Sequence, residues 1–291
     1  MPAAFDWLGV GDVALERPQD RSATRALGGT AARLTAHAAV RGLTTALVAK
    51  TGDDAAGRIV RAALARVGVD LHFSPVASGQ RTTVLRDARG PAGLRRLERG
   101  CDLLLRLDEI PPPSVLRARL TVVSGYSLSI EPARSAALGA LATAAARGAR
   151  AALQLDAELL WSANARMARR VLEPALASAQ WVGLTAADAA VLFGTRTTAP
   201  QVAAAIGRLG PTLVYLAAAD GGLELLDGDR HHTLPPGRHG IPADRLAGPA
   251  AFFAGVLLGL TPRKAGQAAL EYAHLARRPS PRKPGRRSAR V

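Results

Sequence analysis

The chain is short of several things that usually announce chemistry. Its 291 residues include a single cysteine, Cys101, which excludes an intrachain disulfide and any metal site built on paired cysteines. Aromatic residues make up only 4%, so alanine, leucine and valine must fill most of a core, and alanine-rich stretches favour helix because alanine loses no side-chain entropy there. The apolar run AAFFAGVLLGL is too short to span a bilayer. The opening MPAAFDWLGV has no basic segment ahead of a long apolar stretch, so it does not read as a secretory signal. A cytoplasmic protein with no membrane partner is the expectation.

The histidines are His37, His72, His231, His232, His239 and His274. No two have the H-x-x-x-H spacing that places two ligands on one helical face, and His231–His232 falls in what reads as a Gly/Pro-rich loop, so solvated histidines outweigh a metal site. The G-x-S-x-G elbow of serine hydrolases and the G-x-x-x-x-G-K-[ST] phosphate loop are both absent from the sequence.

What is present is apolar bulk and positive charge. Hydrophobic residues make up 48% and the net charge is +15, which raises nucleic acid as a partner. Seven of those charges come from Arg277, Arg278, Arg282, Lys283, Arg286, Arg287 and Arg290. That segment, 277–291, has three prolines and no acid, and reads as a disordered tail with at most weak, sequence-independent affinity for polyanions.

Along the chain, short apolar runs alternate with Ala/Arg-rich helical stretches. DWLGVGDVAL, TTALVAKTG, LTVVSGY, ARAALQLD, QWVGLT and TLVYLAAADGG read as strands, each followed or preceded by a segment of helical spacing. This pattern predicts an α/β fold with a mostly parallel sheet and helices on both faces. Residues 72–100 carry turn and β-type residues instead, and predict a small inserted flap, with 13–25 as a second candidate segment. The expected organisation is one α/β domain over 1–276 and the basic tail after it.

GVGDVA at 9–14 matches the weak form of a dinucleotide fingerprint, which requires a helix to follow. Pro18, a few residues on, disfavours one. Four other stretches carry more information through their order: GGTAARLTAHAAVRG, KTGDDAAGRIVRAALARVGVDL, TAADAAVLFG and DRLAGPAAFFAG.

With these four in sequence, the chain resembles the PfkB/ribokinase family of carbohydrate and nucleoside kinases, over about residues 7–276. Gly52, Asp53, Asp54 and Gly57, followed by Gly68-Val69-Asp70, fit the family's G-x-D-x-x-G. The resemblance implies a ribokinase-like fold with a β lid, a sugar or nucleoside substrate, and ATP with Mg2+ as cosubstrate and cofactor. It places substrate contacts at Glu16, where the family has Asp, at Gly28 and Gly29, at Arg33, where the family has Asn, and at Asp53. Nucleotide contacts fall at Asp220, Gly221 and Asp244. The N-x-x-E motif that organises magnesium appears as Thr185-x-x-Asp188, with an acid one methylene shorter.

The last motif departs furthest. The family's D-T-x-G-A-G-D supplies an anion hole and a terminal Asp that accepts the substrate's proton; here Ala247-Gly248-Pro249 stand for the hole and Ala250 for the base. Loss of a general base typically costs about 10²–10⁴-fold, and Pro249 removes a backbone donor, a loss worth on the order of 10²–10³-fold. Three readings follow: a pseudokinase that binds a sugar, nucleoside or phosphorylated ligand; an active kinase with a displaced base drawn from Asp244, Asp220 or Glu16; or a non-catalytic interaction protein, dimeric through the flap and using its tail. Arg33 reads either as a partner for a ligand's phosphate or carboxylate or as a solvated helix residue.

Overall fold

The structure, a computed structural model, describes residues 4–17, 26–87, 95–110, 118–157, 164–237 and 245–275. The segment 13–25 is therefore described only in part, and Asp244 and the basic tail lie outside the described residues.

The first strand, β1 (Phe5–Val10), lies inside a nine-stranded sheet with β4 (Thr45–Val48) and β6 (Val69–Asp70) on one side. On its other side come β10 (Ala118–Ser124), β11 (Arg150–Gln154), β12 (Trp181–Thr185), β13 (Leu213–Ala217), β14 (Leu223–Asp227) and β15 (Arg230–Leu234). From β6 to β13 every pairing is parallel; β14 and β15 are antiparallel. Strands such as LTVVS are buried along nearly their whole length, as expected where helices cover both faces of a parallel sheet. The turn at Asp227-Gly228-Asp229, with Gly228 at φ 57, is the Asp-Gly signal of a tight hairpin. It puts His231 and His232 on β15 rather than in the loop the sequence suggested, because the run's polar character hides an edge strand.

One face of the sheet is covered by α3 (Ala133–Ala146), α4 (Ala165–Ser178), α5 (Ala186–Phe193) and α6 (Ala199–Gly207), whose alanines and leucines join Leu8, Val123, Leu153 and Val214 in one cluster. The other face carries α1 (Thr30–Val40), α7 (Ala247–Leu257) and α8 (Pro262–Leu275), packed on Trp7, Leu120 and Trp181. Every residue of α7 except Val256 is buried; a helix apolar on all sides belongs inside a protein. Close packing of α1 is set by Gly9, where a Cβ would lie 2.0 Å from Thr35 Oγ1.

The remaining helix, α2 (Ala55–Arg66), is capped by Asp54, which accepts from the Gly57 amide at 2.8 Å. It packs through Ala56, Val60 and Leu64 against a second, four-stranded sheet. That sheet runs β3 (Ala26–Gly28), β2 (Ala14–Arg17), β8 (Val84–Asp87), β9 (Arg95–Glu98). It therefore draws on residues 14–17 and 26–28 as well as 84–87 and 95–98. Within 72–100, β7 (Val76–Ala77) instead pairs with β5 (Thr51–Gly52). After GVGDVA the chain enters β2, so no helix starts there.

Candidate active site

The chain leaves β1, β10, β11 and β12 at one edge of the large sheet, the edge where open α/β sheets form ligand crevices. Five acidic side chains, Asp12, Glu16, Asp102, Asp156 and Asp188, lie at or near it. Asp12, two residues past β1, accepts from the Thr30 amide at 2.7 Å and the Ala31 amide at 3.1 Å, satisfying two of the backbone donors that a helix start leaves open. The approach is close: a Cβ on Gly29, whose φ is 88, would lie 2.7 Å from both Asp12 O and Val13 Cα. Only glycine fits there. At Gly28 a Cβ would meet Glu16 Cγ at 2.8 Å. The double glycine thus brings β1, the small sheet and α1 together.

Asp156, just beyond β11, accepts from the Tyr126 amide at 3.1 Å and pairs with the Thr30 hydroxyl at 3.0 Å. Burial, reinforced by the charges of Asp12 and Asp188, pushes its carboxyl up to about 8, so at neutral pH it keeps its proton. Asp102 is pushed up to about 7 by burial, with Asp12 adding to the rise, even though the Thr83 hydroxyl bonds its carboxylate. Arg99 stands over the Tyr126 ring at 5.6 Å and donates to its hydroxyl at 3.1 Å.

Glu16 on β2 and Arg33 in the first turn of α1 face each other, Nη1 to Oε1 3.8 Å, and each residue is 7% exposed. The solvated alternative for Arg33 is thereby overturned: packing of α1 against the small sheet encloses it. Asp188 is buried at the start of α5, where its Oδ2 accepts from the Thr185 amide at 3.0 Å and the Thr185 hydroxyl at 2.8 Å. This is a capping box, which satisfies the helix's open donors reciprocally.

Asp53 points elsewhere: it is exposed and accepts from the Gly79 amide at 3.0 Å and the Ser78 hydroxyl at 3.3 Å. Asp220 is exposed in the β13–β14 turn and accepts from the Gly222 amide at 2.8 Å, beside Gly221 at φ 89. Ala247, Gly248, Pro249 and Ala250 form the first turn of α7, all buried, with no acidic residue among them and no side-chain cap. Pro249 is tolerated because amides of a first turn have no intrahelical partner to lose. Gly248 lies against Tyr215, whose hydroxyl would be 2.3 Å from a Cβ.

Sequence reasoning singles out Glu16, Gly28, Gly29 and Arg33, which the structure brings together. It passes over Asp12, Asp102, Asp156, Tyr126 and Arg99. The available signal was an acid directly after an apolar strand, in VGD and LQLD. Among the described residues no group of three or more His, Cys, Asp or Glu side chains is placed to hold a metal ion, and no helix is long and apolar enough to cross a membrane.

A nine-stranded, mostly parallel sheet between helical layers, with a small second sheet at its acidic edge, defines a ribokinase-like α/β protein. Comparison with known proteins narrows this class. No family model matches. A fructokinase from Klebsiella pneumoniae is 28% identical over 241 residues, covering 80% of this chain and 76% of the fructokinase. A 5-dehydro-2-deoxygluconokinase from Shouchella clausii is 31% identical over 147 residues, 48% of this chain and 45% of that protein. Among solved structures, a PfkB protein from Polaromonas sp. JS666 superposes with TM-score 0.83 at 19% identity, covering 93% and 95% of the two chains. A chain from E. coli assigned as a ribokinase II, solved with ATP and Mg2+, superposes with TM-score 0.78 at 16% identity over 94% of each chain. The neighbours in sequence and in structure are PfkB/ribokinase-family sugar and nucleoside kinases, at low identity.

Proposed function

We propose that this chain is a PfkB-type carbohydrate kinase scaffold that binds a sugar or nucleoside beside ATP, with phosphoryl transfer strongly impaired. The four-stranded sheet is its lid, and the crevice at Asp12, Glu16, Arg33 and Asp156 its substrate site. The observation that carries the reading is the start of α7. A helix N-terminus attracts phosphate through its open amides and its dipole, and the first turn of α7 holds no acidic residue. It fits an anion, one donor short at Pro249. Asp188 stands where the resemblance puts the organiser of magnesium, which when bound would neutralise phosphate charge. Its oxygen Oδ2 already serves Thr185. Where the proton acceptor should stand there is a methyl group, Ala250, fully buried.

Catalysis of phosphoryl transfer consists almost wholly of positioning and electrostatics, so a scaffold with a methyl at this point binds without turning over efficiently. The test is a phosphate-transfer assay with magnesium over a panel of sugars and nucleosides. The native chain is compared with Ala250→Asp plus Pro249→Gly. Background rates natively, with a gain on the order of 10²-fold or more on repair, support the reading; clear native turnover overturns it.

A second reading, transfer with a displaced base, rests on Asp156, a carboxyl at the same edge held up to about 8, so that only its ionised minority at neutral pH, and more of it as pH rises, could accept a proton. Glu16 and Asp220 suit that role less, since Glu16 is paired with Arg33 and Asp220 sits in an exposed turn. Native turnover abolished by Asp156→Asn would establish this second reading.

A further inference from the structure

We infer that a cleft between α4, α5 and α6 binds an apolar α-amino acid, its side chain in the cleft and its two charged groups on Arg169 and Glu173. The site lies at the far end of α5 from Asp188 and stands independently of the kinase reading. The cleft encloses about 190 Å³, below the roughly 300–1,000 Å³ of sites that hold drug-sized ligands and cofactors, so a nucleotide is too large for it. Leu172 and Leu176 of α4 and Leu192 of α5 line it, each exposed by 2% or less. Phe193 and Leu209 flank them and are partly open to solvent.

Arg169 and Glu173 line the same cleft and are both exposed. They stand one helical turn apart, where opposite charges ordinarily meet, yet they form no ion pair. Arg169 Nε donates instead to the Leu192 carbonyl near the end of α5. This fixes the guanidinium between two walls of the cleft and leaves its Nη groups without a partner among the described residues, as is the Glu173 carboxylate. A held cation and an anion thus border an apolar floor. An apolar amino acid matches all three: its carboxylate accepts from the Nη groups, its ammonium donates to Glu173, and its side chain leaves water for the leucines. A simple carboxylic acid leaves Glu173 unused, and a sugar has no apolar tail. The segment 277–291, with seven basic residues and no acid, brings the wrong charge to Arg169. Both rim charges are exposed, so each contact contributes modestly and binding depends on the three together.

The test is calorimetric titration of the full chain at neutral pH with L-leucine and L-phenylalanine. Each is compared with the same molecule lacking its amine (isocaproate, hydrocinnamate), the same molecule lacking its carboxylate (isoamylamine, phenethylamine), and glycine. At least one amino acid should bind about threefold or more tighter than both of its truncated analogues, the margin of an exposed ion pair. Glycine should bind about tenfold or more weaker, the share of a buried apolar side chain. Anion binding elsewhere on this basic chain serves isocaproate as well as leucine, so it cannot produce the margin. Glu173→Gln should abolish the advantage of the amino acid over its amine-free analogue. No binding of either amino acid, truncated analogues or glycine binding as tightly, or an unchanged margin in Glu173→Gln overturns the inference. Thermal melts check that the variant folds. Should it not, Leu209→Ser decides: with one apolar wall removed the amino acid must bind more weakly, and unchanged binding overturns the inference.

Discussion

Replacing Asp156 by asparagine makes the protein's stability less dependent on pH and greater at alkaline pH. The carboxyl is 6% exposed and touches the Tyr126 amide and Thr30 hydroxyl, so the isosteric amide keeps the packing. In the unfolded chain an aspartate ionises near 3.9; folded, burial and the charges of Asp12 and Asp188 hold this one up to about 8. Between those limits the native state binds one more proton than the unfolded state, so stability falls as pH rises through the window and levels off above it. Below the lower limit both states are protonated and the group costs nothing. A fully coupled group changes stability by up to about 1.4 kcal/mol per pH unit, and in a chain of this size about 1 kcal/mol moves Tm by roughly 2–4 °C. Asp102, held up to about 7 by burial, adds a slope of the same sign that ends about one unit sooner. Melts of the native chain and of Asp156→Asn from pH 5 to 9 should show native Tm declining more steeply, with the variant the more stable at the top of the range. A native Tm that rises across that interval, or equal slopes for the two proteins, would refute the account of a protonated buried aspartate.

Three other expectations follow from the same geometry. Gly29→Ala, forced to a φ of 88 with its Cβ against Asp12 and Val13 backbone atoms, should cost on the order of 3 kcal/mol in denaturant unfolding. Gly28→Ala, whose Cβ would meet the buried Glu16 at Cγ and press on Ala14, should cost on the order of 1–3 kcal/mol while weakening ligand binding, which calorimetry reads. Asp188→Ala removes the reciprocal cap of α5 and should lower stability by about 1 kcal/mol, an effect that chemical denaturation of the variant would detect.

The parallel core was legible because its strands are continuous apolar runs and its helices alanine-rich at regular intervals. The antiparallel end was not: LELLDGDRHHTL hides β15 behind polar residues, and only its Asp-Gly turn betrays a hairpin. At the site, the double glycine and the residues aligned with it could be read, since a tight turn demands glycine. The roles of Asp12, Asp102 and Asp156 could not. Each is one more acid in sequence and becomes distinctive only when tertiary packing encloses it. Arg33 shows the same limit: helical periodicity cannot tell that the face it occupies is roofed by a second sheet. Asp53, the variable acid of its motif, fastens the 78–79 turn, while Asp54, at the motif's fixed acid, caps α2.

The way the large sheet stops at its two ends bears on how the protein behaves in a crowded solution. An unpaired strand is a template on which another chain can polymerise. Here the end strand β6 is only two residues long, with Asp70 exposed, and β15 presents Arg230 and His231 to solvent. One terminus is too brief to nucleate a growing ribbon and the other too polar to shed its water. Both ends of the large sheet are thus guarded against pairing with the same sheet of a second copy.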